Sequence, residues 1–183
     1  KILTKLDTLI DRFDVIVLSD YNKGLLTNSL IRKVIRRAKR KKKVIIVDPK
    51  KVNFSVYSGA TYIKPNFKEL KQSMNLSDDT SICDKDKLVI ELSKKIIKKF
   101  KFKAVITTRS SNGISVVKQQ GDFFHLPSEA KEVFDVSGAG DTVLGYFASS
   151  ISRGISLEIS TQISNTAAGI AVGKFGTSVV DYK

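Results

Sequence analysis

An α/β fold, with a doubly wound and mostly parallel sheet flanked by helices, is predicted for this 183-residue chain by two observations. Short, fully apolar runs recur along it, as in Val15-Ile16-Val17-Leu18, Val44 to Val47 and the KAVIT stretch from Lys103 to Thr107. Strands covered on both faces read this way, whereas half-exposed strands alternate. Segments of helical period lie between those runs, and strand–helix–strand order calls for parallel pairing.

The elements follow in order. Val15 to Leu18 is a strand that ends in the loop SDYNKG. A helix with the apolar stripe Leu30, Ile31, Val34, Ile35 and Ala38 comes next, and it closes on the basic run RRAKRKKK. Val44 to Val47 forms the second strand, stopped by Asp48-Pro49-Lys50. Thr61-Tyr62-Ile63 is a short third strand before Pro65, and Asn66 to Leu70 starts a short helix. Asp84 opens a longer helix carrying Leu88, Leu92, Ile96 and Phe100, which leads into the KAVIT strand. GISVVK and DFFHL then read as a hairpin around Gln119 to Gly121. Two final helices follow. One starts in the GAGD stretch, with Leu144, Phe147, Ala148 and Ile151 at helical spacing, and the other runs from Leu157 to Lys174. With no internal repeat and no linker, residues 1–183 read as a single domain.

Composition excludes several classes of function. No run of about 18 apolar residues is present, so no membrane-spanning helix is expected. The first residues, KILTKLDTLIDRFD, carry charge throughout and do not form a secretory signal. Cys83 is the only cysteine, which removes internal disulfides and cysteine-cluster metal sites and fits a reducing, cytosolic setting. His125, the only histidine, lies in FFHLP between apolar neighbours and reads as a strand residue rather than a catalytic one. The net charge of +14 invites a nucleic-acid partner. However, the run from Arg36 to Lys43 ends a helix, where cations complement the dipole, and no aromatic residues interleave it to stack on bases.

Ligands of open α/β sheets bind beyond the carboxyl ends of the strands. The loops SDYNKG, DPK, PNFKE, TTRSSNG and DVSGAGD all follow strands and define the candidate site. In DVSGAGDT, Gly138, Ala139 and Gly140 precede Asp141 at a helix start. Small residues there let an anion approach the first amides, which lack internal partners and lie at the positive end of the dipole. A transferring phosphoryl group needs such donors, and Asp141 could take the proton of an attacking hydroxyl. The same residues also suit a tight turn and an ordinary helix start. Asn66 and Glu69 have the spacing of a capping box, the first reading for that pair, with metal-bound phosphate as the functional alternative. Lys23, beside Asp20, and Lys50 each serve either as surface lysines or as ligands of an anionic substrate. Thr107, Thr108, Arg109 and Gly113 form a polar loop able to line a nucleotide.

The string DVSGAGDT resembles the C-terminal signature of the ribokinase-like carbohydrate kinases. Together with LSDYNKG, VDPK, KPNFKEL, TTRSSNG and NTAAGIAVGKFGTS, in this order, it resembles the D-glycero-β-D-manno-heptose 7-phosphate kinase branch over Asp14 to Val179. The resemblance implies ATP and Mg2+ as cosubstrates and phosphorylation of the sugar at O1, on the route to ADP-heptose for lipopolysaccharide core. It implies that Asp141 is the base and that Gly138, Ala139 and Gly140 form the anion hole. Asn66 and Glu69 match the family's N-x-x-E element, with Glu69 reaching the metal through water. Thr108, Arg109, Gly113, Asn165 and Gly169 would lie along the nucleotide, and Asp20, Lys23 and Lys50 fall in substrate loops. The partners implied are ATP and a sugar phosphate, with a homodimer compatible and no membrane.

Two departures qualify this. Asn22 stands where the family has glycine, a difference expected to alter that turn. The family's N-terminal part, with a Gly-Gly sugar element and a small β-sheet lid, has no counterpart here, nor has the H-x-G-H nucleotidyltransferase signature. The expectation is therefore a segment holding the nucleotide half and the catalytic Asp, binding nucleotide weakly and turning over no sugar by itself.

Overall fold

A computed structural model of the chain describes residues 2–76, 85–130, 132–177 and 180. Cys83, and Asp84 as the expected helix start, lie outside the described residues. The elements run α1 (Ile2–Leu9), β1 (Val15–Ser19), α2 (Asn28–Arg40), β2 (Val44–Asp48), β3 (Tyr62–Ile63), α3 (Phe67–Gln72) and α4 (Lys85–Phe100). Then come β4 (Ala104–Thr108), β5 (Ile114–Lys118), β6 (Phe123–Leu126), α5 (Ala139–Ser152) and α6 (Leu157–Val172). Helix α1 escapes the reading of the sequence. Its signal was the spacing of Leu3, Leu6 and Ile10, of which Ile10 is buried and the others pack on the core.

The strands form one six-stranded sheet in the order β1-β2-β3-β4-β5-β6. Strands β1 to β4 are parallel, in register at Val15 with Val44, Ile46 with Tyr62, and Tyr62 with Ala104. The crossovers include α2 and α4, because parallel neighbours cannot be joined by a tight turn. Strand β5 returns antiparallel to β4. The Arg109 amide donates to the Gly113 carbonyl at one end of this pair, and the Gln119 amide donates to the Lys103 carbonyl at the other. The turn into β6 closes through the Lys118 amide on the Asp122 carbonyl, as the expected late hairpin requires. The sheet advances in one direction, so among the described residues no reversal of strand order occurs.

The chain divides into two compact units, residues 1–107 with 116–124, and residues 108–115 with 125–183. In the first, Ile31, Val34, Ile35 and Ala38 of α2 and Val89, Leu92, Ile96 and Phe100 of α4 form one core with Leu18, Ile45, Val47, Ile63 and Val105. Their strand neighbours Ile46, Ala104 and Ile106, on the opposite face, are buried as well. That two-sided burial is why these strands show no alternation. Helix α2 opens on Thr27, whose hydroxyl accepts from the Leu30 amide. Its basic end is tied to the start of the chain, by Arg37 to Asp7 at 2.7 Å and Lys41 to Asp11 at 3.0 Å. The run is thus a solvated helix end at the amino side of the sheet.

In the second unit α5 and α6 pack on each other. Small buried residues of α6, Ser160, Ser164, Ala167 and Ala171, allow a close approach. The hydroxyl of Ser164 donates to the Ser160 carbonyl at 2.6 Å, so it is buried without an unpaired donor. Among the described residues no helix is long and apolar enough to cross a membrane.

Candidate active site

In the first unit the carboxyl ends of β1, β2 and β3 deliver Asp20, the Asp48-to-Lys51 stretch, and Lys64 to Asn66. The Asp20 amide donates to the Asp48 carbonyl, which carries the ladder one residue past the strands. Around that edge three lysines meet three carboxylates: Lys51 with Asp20 at 2.9 Å, Lys50 with Glu69 at 2.9 Å, and Lys64 with Asp48 at 3.0 Å. Asp20 is the most enclosed of the acids. Its Oδ2 accepts from the Tyr57 hydroxyl at 2.7 Å and from Lys51 Nζ, and its Oδ1 accepts from the Asn22 amide at 2.7 Å. Burial by itself would push the Asp20 carboxyl up, but these donors outweigh it and hold the group below the usual carboxylate value. The Tyr57 phenol moves far up, because it is buried and donates to a carboxylate.

Asn66 and Glu69 form the complete capping box of α3. The Asn66 side chain accepts from the Glu69 amide at 2.8 Å, and Glu69 Oε2 accepts from the Asn66 amide at 2.9 Å. Glu69 Oε1 takes the Lys50 ammonium, and the hydrogen bond with Glu69 raises the Lys50 pKa. The Asn66 carboxamide oxygen and the Glu69 carboxylate are therefore already engaged in the helix start and the ion pair. No three His, Cys, Asp or Glu residues converge on a metal-sized space among the described residues. A Mg2+ ion would fit only in company with phosphate oxygens and water, its usual mode in nucleotide sites.

Asp20, Lys50, Asn66 and Glu69 follow the strand ends, and joined to them are Tyr57 and Lys51, which the sequence did not single out. The doublet Lys50-Lys51 was the available signal, since two successive basic side chains after a strand leave on different sides. Lys23 is exposed on the β1 loop. The expected change at Asn22 does not appear in its backbone: φ is +53°, the left-handed region where Asn is the best tolerated replacement for glycine.

The second unit holds the other candidates. Gly138 caps α5 with φ +80° and no side-chain cap, the geometry that removes a side chain from the helix mouth. The Thr142 amide and hydroxyl both donate back to the Gly138 carbonyl, at 2.8 and 3.0 Å, and lock the first turn. The Ala139 amide closes on the Val136 carbonyl at 3.2 Å, so in this conformation it belongs to the turn rather than to an open anion hole. Asp141 lies exposed in the first turn, directly after exposed Gly140. Just upstream, the Asp135 carboxylate accepts from the Ser137 amide, which moves its pKa down.

Thr108 ends β4, and Arg109 is buried, its guanidinium donating to Ser115 Oγ at 3.1 Å, which lies 3.0 Å from His125 Nδ1. Gly113 has φ +75°, and a Cβ there would lie 2.0 Å from the Leu126 carbonyl oxygen, so no other residue fits. Asn165 is buried and donates to the Pro127 carbonyl at 2.8 Å, fixing the segment after β6. A Cβ on Gly169 would come within 3.0 Å of the Glu129 backbone, so this glycine admits the same segment against α6. Between them opens a cleft of about 510 Å3 lined by Glu129, Glu132, Thr166, Gly169, Ile170 and Gly173. It is large enough for a planar heterocycle.

Comparison with known proteins gives this arrangement a context. The sequence is 42% identical over 179 residues to the bifunctional protein HldE of Paramagnetospirillum magneticum, covering 98% of this chain and 36% of that protein. It is 39% identical to the bifunctional protein HldE of Pasteurella multocida, with the same coverage. The chain thus spans about a third of the length of these relatives. Phosphofructokinase-2 from Escherichia coli, in complex with potassium, shares the fold with a TM-score of 0.80 at 20% identity, over 95% of this chain and 56% of that one. Ribokinase from Arabidopsis thaliana, complexed with ribose and ATP, does so with a TM-score of 0.77 at 20% identity, over 95% and 54%. Residues 3–181 match the pfkB carbohydrate kinases as a family, and with the match running through both units the chain belongs to the pfkB family of carbohydrate kinases.

Proposed function

We propose that the protein of which this chain is part phosphorylates a sugar phosphate from ATP, with D-glycero-β-D-manno-heptose 7-phosphate as substrate and O1 as the acceptor. The observation that carries this reading is the start of α5: a left-handed Gly138, no capping side chain, and Asp141 exposed in the first turn. The identity to bifunctional HldE proteins over nearly the whole chain supports the choice of sugar. In the reaction the O1 hydroxyl attacks the γ-phosphorus and its proton passes to the Asp141 carboxylate. The bond between that phosphorus and the bridging oxygen breaks, and ADP leaves. The first-turn amides of α5, beginning at Gly140, face the charge that grows on the outer phosphoryl oxygens.

Each unit also supplies positioning, which dominates phosphoryl transfer. Lys50 and Lys23 provide cations beside the strand ends for an anionic substrate. The cleft bounded by Gly169, together with the Thr108-to-Gly113 loop, takes the nucleotide. Asn66 and Glu69 would orient Mg2+ through its waters, and the ion would neutralise charge on the phosphates when bound. The test is to incubate the full-length protein with ATP and, separately, heptose 7-phosphate, fructose 6-phosphate and ribose, following ADP release and the new phosphate resonance. A phosphate on the anomeric oxygen of the heptose is the expected product. A clear preference for fructose 6-phosphate or ribose would replace the heptose reading with another sugar kinase of the family.

A further inference from the structure

We propose that Lys51 is a positioning residue: it fixes the left-handed turn at Asn22 and so presents Lys23 to the anionic sugar substrate. This rests on the kinase reading above and deepens it at the substrate loop.

The backbone of Asn22 has a φ of +53°, a left-handed torsion that Asn tolerates better than other residues with a Cβ but less freely than glycine. Two contacts offset that preference. The Asn22 amide donates to Asp20 Oδ1 at 2.7 Å, and the Asn22 side-chain oxygen accepts from Lys51 Nζ at 3.1 Å. Lys51 itself is held from behind, with Nζ 2.9 Å from Asp20 Oδ2 and a side chain only 16% exposed. Asp20 in turn is fixed by the Tyr57 hydroxyl at 2.7 Å, and Tyr57 is wholly buried, edge-on to Phe54. The amides of Lys50 and Lys51 both donate to that same hydroxyl. The result is a continuous chain of contacts from a core tyrosine to an exposed turn.

Lys50 and Lys51 therefore divide the work. The Lys50 side chain is 55% exposed and pairs with Glu69 at the rim, where a substrate phosphate can compete for it. Lys51 is turned inward and spends its donors on Asp20 and Asn22. Its effect on substrate must pass through the turn. Lys23 follows Asn22 directly, and Gly24 with φ +92° completes the bend, so the torsion at residue 22 sets where the Lys23 ammonium is carried. With Asn22 released, the torsion would relax toward the ordinary negative-φ regions and swing Lys23 away.

Full-length protein carrying Lys51→Met, Lys51→Arg, or Lys51→Met with Asn22→Gly tests this with two measurements. Amide hydrogen exchange over residues 21–24 reads the turn without reference to activity. Lys51→Met should accelerate that exchange, Lys51→Arg should keep it slow, and unchanged exchange in Lys51→Met overturns the proposal. Steady-state kinetics should show the sugar-phosphate KM raised about tenfold in Lys51→Met, with kcat and the ATP KM within about twofold. Adding Asn22→Gly should recover part of that KM, because glycine adopts the left-handed turn without help. Faster exchange with an unchanged sugar KM would overturn the link to substrate. Wild-type protein that phosphorylates no sugar would instead remove the kinase reading, leaving the exchange data to decide on the turn.

Discussion

The two units meet the problem of charge in opposite ways. At the strand ends of the first unit every acid named above already has a partner: Asp20 has Lys51, Tyr57 and Asn22, Asp48 has Lys64, and Glu69 has Lys50 and the Asn66 amide. At the start of α5 in the second unit, the sequence instead strips side chains away and leaves a helix mouth with no side-chain cap. A wired cluster holds its shape before substrate arrives and gains little from one more contact. A helix start without a capping side chain leaves room in front of its first turn, and its dipole acts only when negative charge appears there. In the proposed reaction, the difference separates groups that position from groups that act. Substitutions in the first unit should shift stability and KM, and those at the α5 start should shift kcat.

The sharpest way to break this contrast is Asp141→Asn in the full-length enzyme. Asn keeps the shape and suits a helix start, yet it cannot take the hydroxyl proton. kcat should fall about 10²- to 10⁴-fold, the usual cost of a lost general base, with ATP affinity and melting temperature close to wild type. A kcat within a few-fold of wild type would reduce the α5 start to a turn and a helix, and the contrast would collapse.

Next in size is Gly113→Ala, which asks whether the second unit is everywhere as open as its helix mouth. A Cβ at residue 113 collides with the Leu126 carbonyl and the Pro127 backbone, and the torsion of +75° is strained for alanine. Denaturant unfolding should show a loss of about 3 kcal/mol or more, the range of backbone strain combined with a steric clash. Near-wild-type stability would mean the strand-end loop relaxes freely.

How far the sequence announces all this differs between the units. The parallel strands were legible because burial on both faces writes them as unbroken apolar runs, as in Val44 to Val47. The α5 start was legible because glycines before an acid form a local pattern. The Asp20–Tyr57–Lys51 cluster was not, since it joins residues up to 37 positions apart through side chains. Nothing local in the 3-10 turn Phe54–Tyr57 marks the tyrosine as a partner of β1. Asn66 and Glu69 fall between these cases. The spacing predicted the cap that is observed, and the cap itself conceals whether the pair does more.

Within the wired cluster, Tyr57→Phe removes one donor from buried Asp20 while keeping the ring. Stability at neutral pH should drop by about 1–3 kcal/mol, the cost of taking a hydrogen bond from a buried charged group. The pH dependence follows from the lowered Asp20 pKa. A carboxyl held below its unfolded value of about 3.8 contributes stability that is complete above that value and is lost as the pH falls through the folded pKa. Acid unfolding of the wild type should therefore show this loss below about pH 4, and the gap between wild type and Tyr57→Phe should narrow there. A gap that stays constant from pH 7 to pH 2 would mean the tyrosine stabilises by packing alone.

The smallest effect is expected at the far end of the sheet, where Arg40, Lys41 and Lys42 close α2 just before β2 begins. Replacing all three with Gln tests whether the strong net positive charge belongs to the chemistry. Lys41 pairs with Asp11 at 3.0 Å, but both side chains are more than half exposed, and such pairs contribute about 0–1 kcal/mol. These residues lie at the amino ends of strands, and the ligand loops of the same unit lie at the carboxyl ends. Sugar-phosphate KM and kcat should stay within about twofold, because exposed charges farther away than a Debye length are screened at physiological salt. What should change is nonspecific retention on single-stranded DNA, which falls with each removed cation and with added salt. Titration of the variant with an ATP analogue and with single-stranded DNA, each over a range of salt, separates the two effects. A large loss of nucleotide affinity would place the basic run in the site and make the first unit's strand ends the wrong place to look.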